Sequence, residues 1–232
     1  MLALPHAAQQ VTAAQALLGR RVRGNDNAPS FRGERAMTQD REALRQQLRA
    51  QRRSVPAAQR LAAADALAER LLALPFAPHT GAVAGYWAMD GEIALHRWQL
   101  SLPAGVRYCL PVLDGRVLRF APWRPGQALV SNRYGIPEPD VARADTLAPE
   151  DMALVVTPLT GFDAECRRLG MGGGWYDRSF AFRHRQAPPP WLLGVGFAAQ
   201  QVPALPTEPW DVSVDAICTE HATLLKDDAV SA

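Results

Sequence analysis

The sequence predicts a single α/β domain of three layers, with a mostly parallel or mixed central sheet flanked by helices. Three observations carry that expectation. Several strand candidates are continuous apolar runs, the pattern of strands covered on both faces, and not the alternation of a half-exposed sheet. Segments of helical period stand before and between those runs. No internal repeat divides the chain, and its 232 residues suffice to bury a sizeable core.

The elements follow in order. Residues 1–36 mix Ala, Gln, Gly, Arg and Asn without a sustained apolar period, and "RGNDNAPSFRGE" reads as a disordered extension, with Met37 as the working start. Order is expected from Thr38, a cap for the first helix, and Ser54 with Pro56 marks the restart of a second. Leu61, Ala64, Ala68 and Leu71 keep helical spacing along that second helix. Strands are expected at 82–87, 106–110, 116–120, 152–157, 191–197 and 213–218, and helices at 93–101 and 174–185. The domain is expected to span 37–224, with 225–232 as a tail.

Composition narrows the classes of function. Hydrophobic residues make up 48% and charged residues 21%, values of an ordinary globular protein. The longest clean apolar run, Met152 to Val156, is far short of the roughly 18 residues a membrane helix needs, so a soluble, cytoplasmic protein without membrane contact is expected. The net charge of +2 comes from residues 1–36, where five arginines face Asp26 and Glu34; the rest carries −1. A nucleic-acid partner gains no support from that balance. Cys109, Cys166 and Cys218 are widely spaced without a CxxC, which fits free thiols in a reducing compartment. The five histidines include no pair at metal-ligand spacing, so any metal is a hard cation held by carboxylates and phosphates.

The chemistry concentrates in RLGMGGGWYDR, residues 168–178. It follows an expected buried strand and leads into an expected helix, where α/β sheets place phosphate sites. Gly170, Gly172 and Gly174 alternate, which lets successive N–H groups point into one concavity. The stretch is neither a Walker loop nor a dinucleotide fingerprint, and a structural turn is an alternative on the glycines alone. Arg168 and Arg178 bracket it with cations. Asp177 suits a phosphate-bound magnesium ion, or else a surface pair with Arg178 at the helix start.

Three further segments add groups. Arg41, Arg45 and Arg49 recur at i, i+4 and i+8 beside Leu44 and Leu48, aimed at a phosphate chain or simply solvated. YWAMDGEI, residues 86–93, ends a strand with two aromatics and supplies Glu92, a set suited to a flat heterocycle with N–H donors, or to core and helix start. YGIPEP, residues 134–139, is a turn stiffened by two prolines and contains Glu138.

Taken in order, the Arg-rich first helix, YWAMDGEI, CLP, YGIPEP, PLTGFD, RLGMGGGWYDR and WDVSVD…CTE resemble the 5-formyltetrahydrofolate cyclo-ligase family over roughly residues 38–220. The resemblance implies ring closure of a reduced folate driven by ATP and Mg²⁺, through phosphorylation of the formyl oxygen, attack by the 10-nitrogen and loss of phosphate. It implies ATP binding at Arg41, Arg45 and the run Arg168, Leu169, Gly170, Met171, Gly172, Gly173, Gly174, Trp175 and Tyr176. Folate binding is implied at Trp87, Glu92 and Met171 through Trp175. Asp177 and Asp211 are implied to hold the metal, and Arg168 and Tyr176 to stand nearest the chemistry, with no protein nucleophile.

The family pattern often has Lys at Arg41, some members have Lys at Gly173, Tyr is usual at Trp175 and Gly is common at Cys166. The expected partners are small molecules only, with a monomer or weak homodimer. Two alternatives are a non-catalytic folate- or nucleotide-binding relative and an ATP-dependent enzyme of another heterocycle. Deleting residues 1–36 should leave catalytic rate and melting temperature nearly unchanged; a large loss of either would make the extension structural.

Overall fold

A computed structural model of the chain describes residues 30–226, with side chains placed from residue 40. Its centre is a seven-stranded mixed sheet, the architecture expected from the sequence. The strands in chain order are β1 (Gly81–Ala84), β2 (Val106–Asp114), β3 (Val117–Pro122), β4 (Leu129–Ser131), β5 (Pro137–Pro139), β6 (Leu154–Pro158), β7 (Gly161–Phe162), β8 (Arg168–Leu169), β9 (Trp191–Val195), β10 (Ala216–Cys218) and β11 (Thr223–Leu225). The helices are α1 (Ser30–Ser54), α2 (Ala57–Leu72), α3 (His96–Leu100) and α4 (Trp175–Ser179). The main sheet runs β11-β10-β9-β6-β1-β2-β3. Its five inner strands are parallel neighbours, and β3 and β11 close the edges antiparallel.

Helix α1 begins at Ser30, so residues 30–36, expected as the end of a disordered extension, are helical, and Thr38 lies within the helix instead of capping it. Residues 1–29 lie outside the described residues. The break between α1 and α2 falls at Val55 and Pro56, where proline removes an N–H and restricts its predecessor. The expected helices at 93–101 and 174–185 are shorter, and the second continues as a 3₁₀ turn over Ala181–His184. Strand β1 stops at Ala84 because the next segment turns away to carry Tyr86 and Trp87 into the site.

The parallel strands are buried on both faces, as their unbroken apolar runs require. Leu154 and Val156 point with Val83, Leu193 and Val195 toward α2 and α3, against Leu67, Leu71 and Trp98. Val155 points the other way with Ala84, Leu192 and Ile217, against Phe162, Phe180 and Phe120. The pleat thus sorts one apolar run into two cores. Cys166, buried and at φ 56°, sits in the left-handed region, which accounts for glycine being common there in the family pattern.

Helix α1 docks through a third, smaller cluster in which Leu48 meets Leu169 and Leu205, with Leu44 and Val202 at its edge. The approach is close: a Cβ at Gly161 would lie 2.4 Å from the Leu48 Cδ1. Gly161→Ala should therefore destabilise by about 1–3 kcal/mol through overpacking, and Leu48→Ala by about 2–5 kcal/mol through a cavity. The double variant should lose clearly less than the two losses combined, because the new methyl fills the vacated space. Urea unfolding of the three variants checks this; strict additivity would mean the two residues do not share that contact.

Candidate active site

The arginines of α1 face the carboxyl ends of the central strands and reach several separate loops. Arg41 makes a two-pronged pair with Asp211, at 2.7 and 3.2 Å. Arg45 donates from Nε to the Gly170 carbonyl at 3.0 Å, and so ties the glycine loop to the helix. Arg49, Arg52 and Arg53 all converge on Asp90 in the turn after β1. The i, i+4, i+8 spacing predicted one shared target. In the structure the helix runs across several strand ends, so each successive turn meets a different loop.

Arg52 is the member sequence reasoning missed. Its side chain is 1% exposed and donates to the Asp90 carbonyl at 3.0 Å, the Asp90 carboxylate at 2.9 Å, Glu92 at 3.4 Å and the Leu159 carbonyl at 3.3 Å. A signal was present. Position 52 lies four residues beyond Leu48 and eight beyond Leu44, so it continues the apolar stripe of the helix. A charge on that stripe is buried, and a buried guanidinium needs partners for its five N–H groups. The DGE turn and the end of β6 supply them.

These ties shape the turn that carries Glu92. Asp90 sits at φ 51°, a left-handed conformation that aspartate tolerates better than most residues. Burial alone would raise its pKa, but hydrogen bonds from Arg53, Arg49 and Arg52 outweigh that and hold it down at about 2. Glu92 has the opposite balance: burial raises its pKa above the ordinary value, against the Met89 N–H at 2.9 Å and the charge of Arg52. Neighbouring Tyr86 is buried and donates its hydroxyl to the Ile93 carbonyl at 2.7 Å.

The glycine loop, Gly170–Gly174, leaves the β7–β8 hairpin and enters α4. Gly172 at φ 94° and Gly174 at φ 62° hold backbone conformations that L side chains rarely adopt, so their positions are set by the turn itself. Beside the loop, Arg168 donates to Asp177 at 2.7 Å and lies 5.6 Å over the Tyr176 ring. Tyr176 is held protonated, first by burial and then by the field of Glu92. Asp177 also accepts the Val212 N–H at 3.2 Å, which brings the chain next to Asp211 up to the start of α4.

One cavity of about 420 Å³ collects these groups. Arg41, Arg45, Trp87, Glu92, Arg168, Gly170, Met171, Gly172, Gly173, Gly174, Trp175, Tyr176, Asp177 and Asp211 all line it. Leu169 is the exception among the expected residues: its side chain is buried with Leu48 and Leu205, because alternation in β8 turns it away while Arg168 faces the site. Trp87 stands at the wall with Trp123 edge-on at 5.8 Å. Tyr134 also lines the cavity, whereas Glu138 accepts from the Leu113 N–H and the Asn132 amide and so braces the β4–β5 hairpin. Met89, Asn132, Glu208 and Trp210 are among the further lining residues that were not singled out from sequence.

The chemistry open to this site follows from what it holds. Cys109 is pushed up to about 12, and Cys166 and Cys218 to about 11, by burial, so none of the three offers a thiolate nucleophile at neutral pH. Among the described residues no three of His, Cys, Asp and Glu converge as a metal cluster. Asp177 and Asp211 together offer two carboxylates. Both hydrogen bonds to Asp177 fall on Oδ1, so Oδ2 remains for a cation. Two carboxylates with further oxygens from phosphate and water suit Mg²⁺, which seldom takes an all-protein cage. Asp177 fits that ion as it stands, while Asp211, both of whose oxygens accept from Arg41, fits it once that guanidinium turns to phosphate.

A family model described as the 5-formyltetrahydrofolate cyclo-ligase family matches residues 37–220. The 5-formyltetrahydrofolate cyclo-ligases of Escherichia coli and Haemophilus influenzae are 34% and 33% identical to this chain; the matches cover 74% and 75% of it and 96% and 95% of those enzymes. The solution structure of the 5,10-methenyltetrahydrofolate synthetase of Aquifex aeolicus superimposes with a TM-score of 0.69 at 26% identity, over 81% of this chain and 93% of that one.

The depressed pKa of Asp90 makes a pH prediction. A carboxylate stabilised in the folded state contributes above its unfolded pKa of about 4 and loses that contribution as pH falls toward 2. Asp90→Asn, which keeps shape and tolerates the left-handed turn, should be less stable than the parent at pH 6–8. The gap should narrow below about pH 4, as seen in urea midpoints measured across pH. A gap independent of pH would remove the ionic role of Asp90.

Proposed function

The chain belongs to the 5-formyltetrahydrofolate cyclo-ligase family, and from that premise we propose that it closes 5-formyltetrahydrofolate to 5,10-methenyltetrahydrofolate, with ATP converted to ADP and phosphate. The observation that carries the reading is the single cavity in which the glycine loop and its arginines meet Trp87 and Glu92. A phosphate-binding half and a heterocycle-binding half share one space, as transfer between ATP and a folate requires.

In this reading the γ-phosphoryl group passes to the formyl oxygen, which makes the formyl carbon an electrophile. The 10-nitrogen then attacks that carbon, its proton departs, and the phosphate leaves with the former formyl oxygen. Phosphoryl transfer asks for position and charge neutralisation more than for a covalent partner, in keeping with the buried thiols. Backbone N–H groups of Gly170 to Gly174 and the guanidinium of Arg168 would hold the phosphates. Arg45 fixes the loop by its bond to Gly170. Trp87 would wall the pterin, and Glu92 would accept its N–H donors. Tyr176, protonated beside Arg168, would donate a hydrogen bond toward the reacting oxygen.

Asp177 and Asp211 would hold Mg²⁺, which supplies charge neutralisation at the phosphates. Both aspartates are engaged by arginines, 2.7 Å from Arg168 and from Arg41. Those pairs keep the acids from repelling incoming phosphate and leave two guanidiniums poised beside it. Purified protein with Mg²⁺-ATP and 5-formyltetrahydrofolate should develop the near-ultraviolet absorbance of the methenyl product; none from a folded sample would overturn the proposal. Asp177→Asn should cut turnover on the order of 100-fold or more and weaken the dependence on Mg²⁺, and an unchanged Mg²⁺ titration would exclude Asp177 as a ligand.

A further inference from the structure

On the β2–β3 side of the cavity two cations remain that the reaction does not use. The Arg133 guanidinium lies 5.1 Å over the Trp175 ring and 5.3 Å over that of Tyr134. The Arg178 guanidinium lies 5.0 Å over the same indole. Each is anchored by one bond to the β2–β3 turn: Arg133 to the Gly115 carbonyl at 3.2 Å, Arg178 to the Arg116 carbonyl at 2.7 Å. Gly174 makes room for this, since a Cβ there would stand 2.8 Å from the Arg178 Nη1.

Among the described residues neither arginine has a carboxylate partner. The nearby acids are engaged elsewhere: Asp114 pairs with Arg143 at 2.9 Å, Glu138 accepts from Leu113 and Asn132, and Asp177 is held by Arg168. Arg41 and Arg168, on the α1 side, are by contrast matched with acids, and Arg45 is tied to the loop carbonyl. Two like charges over one ring repel each other, and Arg116 adds a third exposed cation on the adjoining turn. Trp175 and Tyr134, which carry the pair, themselves line the cavity. The site therefore has an anionic need at its rim, where Arg178 adjoins the last glycine of the loop.

We propose that Arg133 and Arg178, held over Trp175, form a subsite for the carboxylates of the glutamyl end of the folate. This rests on the folate-cyclising reading above. A polycarboxylate fits better than metal-bound triphosphate here, because Asp177, the acid of α4 suited to Mg²⁺, is turned to Arg168 and the Val212 N–H while Arg178 is turned to the β2–β3 turn, and the acids near that turn, Asp114 and Glu138, are taken up by Arg143, Leu113 and Asn132. The guanidiniums keep most of their N–H donors free, and their stacking on the indole fixes them in place before a carboxylate arrives. A longer glutamyl chain would meet Arg116 next.

Calorimetric binding of p-aminobenzoyl-triglutamate, which carries the tail without pterin or formyl group, tests this without turnover. The parent should bind it, and the double variant Arg133→Gln, Arg178→Gln should bind about tenfold more weakly, while affinity for Mg²⁺-ADP stays the same. Both side chains are exposed, and Arg133→Gln alone, on the hairpin turn, provides a second folded variant that should lose part of the effect. Equal binding by parent and double variant, or no binding by the parent, would overturn the subsite. A fall in ADP affinity instead would assign the cations to the nucleotide and overturn it equally. In turnover, the double variant should raise KM for triglutamyl substrate more than for monoglutamyl substrate; equal changes would remove the tail from the argument. If the parent makes no methenyl product yet binds the triglutamate through these arginines, the cyclisation reading fails and the subsite stands.

Discussion

The buried guanidinium of Arg52 is the interaction on which the site's shape rests. A charge 1% exposed between α1 and the sheet must find its hydrogen-bond partners locally, and it finds them at the turn after β1 and at the end of β6. Those two strand ends are where Glu92 and, beyond the hairpin, the glycine loop begin. One side chain thus fixes the spacing between the halves of the cavity. Leu48, one turn earlier, sets the depth of the helix against Gly161. Arg45, a further turn back, holds Gly170. Helix α1 acts as a clasp laid over loops that would otherwise be free to separate.

Opposite charges lie close together in the site, one pair held by α1 and one by β8 and α4. Arg41 with Asp211 and Arg168 with Asp177 neutralise one another within the cavity wall. A polyanion with a divalent cation could rearrange these pairs without leaving either charge stranded, which a site of arginines alone could not do. The asymmetry between the α1 side, where charges are matched, and the rim at Trp175, where Arg133 and Arg178 are not, divides the cavity into regions of different demand.

Much of this was legible in the sequence. Continuous apolar runs announced a doubly covered sheet, and both cores formed on its two faces. The RLGMGGGWYDR and YWAMDGEI stretches marked the segments that meet in the cavity, because glycine, paired aromatics and isolated acids are costly to place without a purpose. The short strands β7, β8 and β11 were not legible. Two- and three-residue pairings have no periodicity to detect and exist because their partners are brought alongside. Leu169 shows the same limit: within a motif of site residues, only the pleat of β8 decides which side chain faces the core.

The sequence by itself determined the layered sheet and which short stretches line the cavity, since these follow from local pattern, and the order of its motifs carried the resemblance to the family. Only the tertiary structure decided what each arginine of α1 holds. Helical spacing gives the direction of a side chain, but the target depends on which loop lies across the interface. Whether a guanidinium is matched by an acid, buried among carbonyls or left free over an indole is a property of that packing, and it separates Arg41, Arg52 and Arg133 into three different roles.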